Sequence, residues 1–146
     1  MAFDMTDLFH ALYQQYAAFR GETDAYTLTE GRFYRMQAPD GAVKHGPVVV
    51  LSQAGGTISP MFSKDTIEMI VMQMSVFDEF KNDAKRATRV MKSLIGIYEY
   101  ASILIPDSAV FVSMKREGMQ TESIDDRTHV HIRQDWTVSQ HVPAWR

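Results

Sequence analysis

The clearest pattern in the chain is an alternation of apolar and polar positions between residues 66 and 77. After Glu68, one set of alternate positions is wholly apolar: Ile70, Met72, Met74 and Val76. The other set is mixed: Ile67, Met69, Val71, Gln73, Ser75 and Phe77. Because successive side chains of a strand point to opposite sides, the pattern predicts a strand with one core face and one partly apolar second face.

Two other stretches have the spacing of three and four residues that is typical of amphipathic helices. The first covers residues 6–20, with Thr6 as the N-cap and Gly21 as the stop signal. The second covers residues 82–101, with Asn82 as the N-cap. Its apolar positions form one narrow stripe, which would pack on a sheet: Ala84, Ala87, Met91, Leu94 and Tyr98.

Shorter apolar runs predict the remaining strands, at residues 32–36, 48–53, 109–117 and 128–138. The segments "GETDAYTLTEG", "AGGTISP" and "GMQTESIDDR" lack a period and are interpreted as loops. This order of elements predicts an α+β fold. We expect a single small domain, in which a mostly antiparallel sheet of four to five strands is covered by two helices.

Composition agrees with one globular domain and excludes several functional classes. The chain has 146 residues, of which 45% are hydrophobic and 23% charged, and its net charge is −3. A weakly acidic chain has no overall basic field for nucleic-acid binding. The absence of cysteine excludes disulfides, thiolate zinc sites and a cysteine nucleophile. No basic segment followed by an apolar run begins the chain, and no apolar run approaches the ~20 residues of a membrane span, so we expect a non-secreted protein without a membrane partner.

Two histidines form the most conspicuous candidate for chemistry. His129 and His131 alternate along a predicted strand and therefore share a face with Arg133 and Asp135. Two imidazoles and a carboxylate could contribute to a zinc site. The guanidinium between them would repel a cation, so a polar, solvated sheet face is the favoured interpretation.

Two further surfaces are candidates for contact with other chains. The second face of the strand at residues 66–77 exposes an apolar set that a solvated sheet does not need: Met69, Val71 and Phe77. One side of the second helix carries a basic set, suited to an acidic partner or to phosphates: Lys85, Arg86, Arg89 and Lys92. The alternative for the basic set is an ordinary solvated helix face.

An ordered set of motifs resembles the tail-terminator, or tail-completion, proteins of long-tailed bacteriophages. The strand "MQMSVFD" followed by the helix "AKRATRVMKSLIGIY" is similar to that family's pattern x-Q-x-S-[VI]-[FY]-[DS] before a helix. Upstream "YRMQAPDGAVKHGPVVVL" and downstream "VSMKREGMQTESIDDRTHVHIRQDWTV" resemble further family segments in the same order, over residues 6–140. The chain departs from the family at Gly46, where an aromatic residue is frequent, and in a longer segment 21–31.

The resemblance implies a structural virion protein with no enzymatic activity and no cofactor. Proteins of this family form a ring, usually a hexamer, at the head-proximal end of the tail tube, where the ring stops tube polymerisation and offers a docking surface. The partners implied are other copies of the chain, the tail tube protein and a head-tail connector or neck protein. DNA would pass through the ring lumen without sequence-specific binding, and assembly would take place in the bacterial cytoplasm.

Two alternatives remain open from the sequence. A head-completion or neck protein of the same head-tail joining machinery would also be a ring-forming virion component. A small α+β ligand-binding or metal-binding domain would instead use the His129/His131 face.

Overall fold

The computed structural model describes residues 13–14, 21, 23–60, 66–79, 84–105, 110–125 and 129–142. From Asp24 onward, two α-helices, a short 3-10 helix and six strands follow one another along the described residues. In order these are α1 (Asp24–Thr29), β1 (Phe33–Arg35), the 3-10 helix (Ala42–His45), β2 (Val48–Pro60), β3 (Thr66–Glu79), α2 (Lys85–Tyr98), β4 (Ser102–Ile105), β5 (Val110–Asp125) and β6 (His129–Val142).

All six strands belong to one sheet, in the order β1-β2-β3-β6-β5-β4. The short β1 runs parallel to β2, and every other neighbouring pair is antiparallel. The predicted α+β class with a mostly antiparallel sheet is therefore confirmed. The sheet includes one strand more than the sequence indicated, because the apolar segment Ser102–Ile105 pairs with the start of β5.

The core lies between α2 and one face of the sheet. The predicted stripe is confirmed at Ala87, Met91, Leu94 and Tyr98, all of which are fully buried. On the sheet side they face the alternate core positions of β3 and β6, which are also buried: Ile70, Met72, Met74, Val76, Ile132, Trp136 and Val138. The rings of Tyr98 and Trp136 meet edge to face, with their centroids 6.5 Å apart.

Helix α2 is shorter than the predicted range of 82–101. It begins after Ala84, whose side chain makes no capping bond, and it ends at Tyr98 because Glu99 adopts an extended conformation. The predicted N-cap, Asn82, lies outside the described residues. The first predicted helix, 6–20, lies mostly outside them too, although Tyr13 and Gln14 are helical.

The loop predicted for residues 21–31 is wrong, because Asp24–Thr29 forms α1. Six residues are too few to show a helical period, and Thr is a poor helix former in isolation. Tertiary contacts stabilise the helix instead. The backbone N–H of Ala25 donates to Ser93 Oγ of α2 at 3.1 Å, and Ala25 and Thr29 are buried against the core.

Two more predicted loops are strand. The segment "AGGTISP" continues β2 to Pro60, and its residues pair with β3 from Gly55 onward after an irregularity at Gln53. Most of "GMQTESIDDR" continues β5 to Asp125, after a register shift between Glu117 and Thr121. In both cases pairing with a long neighbouring strand outweighs the low strand propensity of glycine and polar residues.

Candidate interaction surfaces

Within the described residues, no α-helix lies over the face of the sheet opposite α2, although the 3-10 helix covers its β1 side. Along β6 the side chains on this face are half-buried and polar, among them His131, Arg133 and Asp135. On β3 the same face exposes 41% of Met69 and 38% of Val71. The mixed set of side chains predicted from the sequence lies on this face.

The structure brings only part of the predicted apolar interface together. Met69 and Val71 are neighbours on the open face, whereas Phe77 lies six residues beyond Val71 along β3, roughly 20 Å away at the rise of a strand. Phe77 is half-buried and stacks on His131, with ring centroids 4.3 Å apart and planes inclined by 14°. The two ends of β3 therefore present two separate apolar sites, and the interface role of each stays a prediction.

The histidine face has the predicted orientation, and its side chains bind each other. Asp135 accepts two hydrogen bonds from Arg133, at 2.9 and 3.0 Å, and this pairing raises the pKa of the guanidinium. His131 Nε2 lies 3.0 Å from Ser75 Oγ. In the described part of the chain, no three His, Asp or Glu side chains converge on a point that could hold a metal ion.

A groove of about 360 Å³ lies on the open face, beside the β1 edge of the sheet. Its floor consists of side chains from three strands: Val48, Val50, Ser52, Ser75, Phe77 and His129. Its outer wall is the segment of residues 36–43, which follows β1 and is largely apolar. The groove has the size of a small binding site, and its lining suits an apolar side chain with a polar rim.

Backbone geometry fixes the groove wall. Met36 adopts a left-handed φ of 70°, which is unusual for a long side chain, and its N–H donates to Leu51 O at 2.7 Å. Gly41 adopts a φ of 74° and starts the 3-10 helix, in which Lys44 N–H bonds to Gly41 O. These turns carry the chain off the sheet edge and back over Val50.

Two basic side chains of α2, Arg86 and Arg89, form ion pairs within the fold. Arg86 Nε and Nη2 bind the carboxylate of Asp78 at 3.1 and 2.9 Å, and Asp78 is only 4% exposed. Arg89 Nη2 bonds to Asp24 of α1 at 3.1 Å, on the surface. Arg86 therefore compensates a buried charge, whereas Arg89 contributes to an exposed ion pair.

A shallow depression of about 420 Å³ lies on α2, bordered by the basic side chains of Lys85, Arg89 and Lys92. Its lining is Ala84, Lys85, Thr88, Arg89 and Lys92. An apolar floor between cationic side chains suits a partner surface with acidic residues around a small apolar contact. This site is the part of the predicted basic set that remains accessible.

A bulge on β5 was not anticipated from the sequence. Between Glu117 and Thr121 the pairing with β6 shifts register, and Gly118 adopts a φ of 67°. The fully buried side chain of Gln134 secures the bulge, since its Nε2 donates at 3.0–3.1 Å to the carbonyl oxygens of Glu117, Gly118 and Asp135. The bulge carries Met119, which is 89% exposed.

The bulge lies at a lateral edge of the sheet. Strand β4 pairs only with Val110–Ser113 of β5, so within the described residues the later part of β5 has a strand neighbour on the β6 side alone. The only sequence signal was the pair Gly118–Met119 in a presumed loop. A glycine before an apolar residue can indicate a left-handed turn that exposes the apolar side chain, and Gly118 has such a φ.

No helix in the described part of the chain has the length and hydrophobicity needed to cross a membrane.

Comparison with known proteins identifies a similar fold. A chain in a solved structure of the virion of a native gene transfer agent particle superposes with a TM-score of 0.60 at 14% sequence identity. The match covers 92% of this chain and 94% of that chain. No protein-family model and no curated protein matches the sequence. At this identity, the likeness establishes a shared fold across nearly the whole of both chains.

Proposed function

We propose that this chain is a non-enzymatic structural protein of a phage-like virion. In this proposal it forms a closed ring, of six copies, at the head-proximal end of the tail tube. The ring ends tube polymerisation and provides the surface on which the head connector or a neck protein docks. The observation that carries the proposal is the fold shared, nearly end to end, with a chain of a gene transfer agent virion.

The sequence motifs support the finer part of the proposal. The strand "MQMSVFD", its following helix and the closing hairpin occur in the order found in tail terminators, and the structure places them on β3, α2 and β5–β6.

The surfaces of the molecule suit a ring. A ring subunit needs two different patches that complement each other, because heterologous contacts repeat by rotation until they close. The open sheet face, with Met69, Val71 and the groove at Phe77, supplies apolar contacts. The depression between Lys85, Arg89 and Lys92 supplies a basic contact, which we assign to an acidic surface of the tube or connector.

The native mass of the purified protein tests the ring. Light scattering over a concentration series, with and without magnesium, should give a species of six times the 16.7 kDa chain mass. Electron micrographs should show rings with an open centre, through which DNA could pass. A mass that stays at one chain at every concentration, with no ring in the micrographs, argues against the proposal.

A charge variant tests the docking surface separately from the ring. Lys92→Glu places an acidic side chain beside the depression and leaves the Asp78–Arg86 pair intact. The variant should form rings of wild-type mass but bind tail tubes more weakly, because like charges repel. Wild-type tube binding by Lys92→Glu would remove the depression from the proposal.

A further inference from the structure

We propose that Met119 on the β5 bulge of one copy inserts into the groove at Phe77 of the next copy. This inference rests on the proposed ring and names the contact that would build it. The two elements lie near opposite lateral edges of one sheet, and together they form the head-to-tail contact that a ring repeats.

The bulge on β5 holds Met119 in an exposed position. A methionine that is 89% exposed has no role in its own core. Nevertheless, the fully buried Gln134 binds the carbonyl groups of Glu117 and Gly118, the two residues that precede Met119, and Gly118 adopts a left-handed φ. Bulges of this kind re-aim a side chain. The fold thus fixes the backbone beneath an apolar side chain that is directed into solvent.

The groove at Phe77 has the size and lining to accommodate a methionine side chain. Its floor is apolar at Val50 and Phe77, and its outer wall includes Ala42 and Val43. A volume of about 360 Å³ accommodates an unbranched thioether with space for adjustment. Methionine is adaptable and packs favourably against aromatic rings, and the Phe77–His131 stack supplies two such rings beside the groove.

The β5 bulge and the groove at Phe77 lie on different strands of the same sheet. The bulge lies on β5, and the groove floor spans β6, β3 and β2, which are one, two and three strand spacings away, or roughly 5–14 Å. Within the described residues, β5 has no outer neighbour beyond Ser113, and β2 has an outer neighbour only at Val49–Leu51. The groove of a second copy can therefore contact the bulge of the first. The bulge of the second copy then remains free to contact a third.

Charge is complementary across this contact. Lys115 is exposed on the strand that leads into the bulge, and Asp40 is exposed on the rim of the groove. In the proposed contact, Lys115 would flank Met119 on one copy and Asp40 would flank the groove on the next. Rim charges of this kind mainly orient the encounter.

A cross-linking experiment tests the contact directly, because the chain contains no cysteine. The double variant M119C/A42C carries one thiol on the bulge and one on the groove wall. A short bismaleimide should convert it into a ladder of covalent multimers that ends at the closed ring. We expect at least ten times more multimer than from M119C or A42C alone. The matched control is Y100C/A42C, with its second thiol at another exposed position.

The outcomes separate this contact from the ring itself. Rings in the wild-type protein without a ladder beyond the control overturn the Met119 contact and leave the ring standing. A ladder that grows without a closed species supports the contact and overturns the ring. A dimer formed by M119C alone in equal yield overturns the contact as well, because it indicates a symmetric pairing of bulges.

Mixing two blocked variants provides an independent test. M119D lacks the apolar side chain, and A42W fills the groove, so each should be monomeric alone. Mixed together they should form one dimer, in which Met119 of the A42W chain occupies the open groove of the M119D chain. Failure to dimerise, or a wild-type mass for either variant alone, overturns the contact. If A42W lowers the melting temperature, A38W on the same wall replaces it.

Discussion

The guanidinium of Arg86, in the first turn of α2, donates two hydrogen bonds, of 2.9 and 3.1 Å, to the buried carboxylate of Asp78 at the end of β3. Asp78 Oδ1 also accepts the backbone N–H of Glu79 at 2.8 Å. The pair ties the start of α2 to the end of β3. It also shows that charge reversal at Arg86 would disturb the fold before it disturbed any partner.

We expect Arg86→Met to lower the free energy of unfolding by about 2–3 kcal/mol, because it leaves the Asp78 carboxylate buried without a cation. The estimate is below the range for a fully buried pair because the arginine is half exposed. Urea denaturation measures the loss. Arg89→Met is the matched control, since it removes an exposed pair and should cost less than 1 kcal/mol. Equal losses in the two variants would contradict the assigned role.

The amide of Gln134 should stabilise the β5 bulge. Gln134→Leu removes the donor to three carbonyl groups, and we expect the free energy of unfolding to fall by about 1–3 kcal/mol. Hydrogen exchange should increase locally at residues 117–121. Gln120→Leu, on the same bulge, replaces a side chain that bonds only at the surface and should change stability by under about 0.5 kcal/mol. Unchanged exchange in Gln134→Leu would contradict the prediction.

Replacing Gly46 with any other residue should lower the stability of the fold. Its φ is 122°, and a Cβ there would lie 2.9 Å from Arg32 Nη2, which donates to the carbonyl groups of His45 and Pro47. Gly55 has a similar φ of 127° with no atom within 4 Å of such a Cβ. Both alanine variants carry backbone strain of about 1–3 kcal/mol. Gly46→Ala should be the less stable in thermal unfolding, and the reverse order would contradict the arginine contact.

Tyr98 should make the protein sensitive to alkaline pH. Burial raises the pKa of Tyr98 well above its ordinary value of 10.0, and Tyr13 adds to the rise. Above pH 10.0 the unfolded chain loses this proton while the folded chain keeps it, so stability falls as pH rises. The slope from one group is about 1.4 kcal/mol per pH unit. Urea denaturation at several pH values above 10.0 should show a shallower decline for Tyr98→Phe, and parallel declines would contradict the prediction.

Periodicity predicted the parts of the fold that have a single strong period. The alternation on β3 and the stripe on α2 are such cases, and in both the predicted core positions are buried. The strand through "AGGTISP" was missed because local glycine content favours a loop, whereas a partner strand stabilises it. Helix α1 was missed because its stabilising bond, from Ala25 to Ser93, joins residues that are 68 apart in sequence.

The candidate sites were predicted less completely, for a similar physical reason. The sequence shows that Lys85, Arg86, Arg89 and Lys92 share a helix side, but it does not show which of them face a carboxylate. The pairing of Arg86 with Asp78 depends on where α2 lies relative to the end of β3, which the helical pattern does not show. The presentation of Met119 depends on Gln134, which by pattern alone is one more alternate position of β6.

Strands β3 and β6 pair without interruption from Thr66↔Val142 to Glu79↔His129. A one-residue insertion within either strand would move every later side chain to the opposite face. Length changes are therefore confined to the ends of these strands. Substitutions at the open-face positions, in contrast, leave the core side chains untouched. The chain can thus acquire new binding specificity through mutation while its foldability is conserved, because the two properties depend on alternate residues of the same strands.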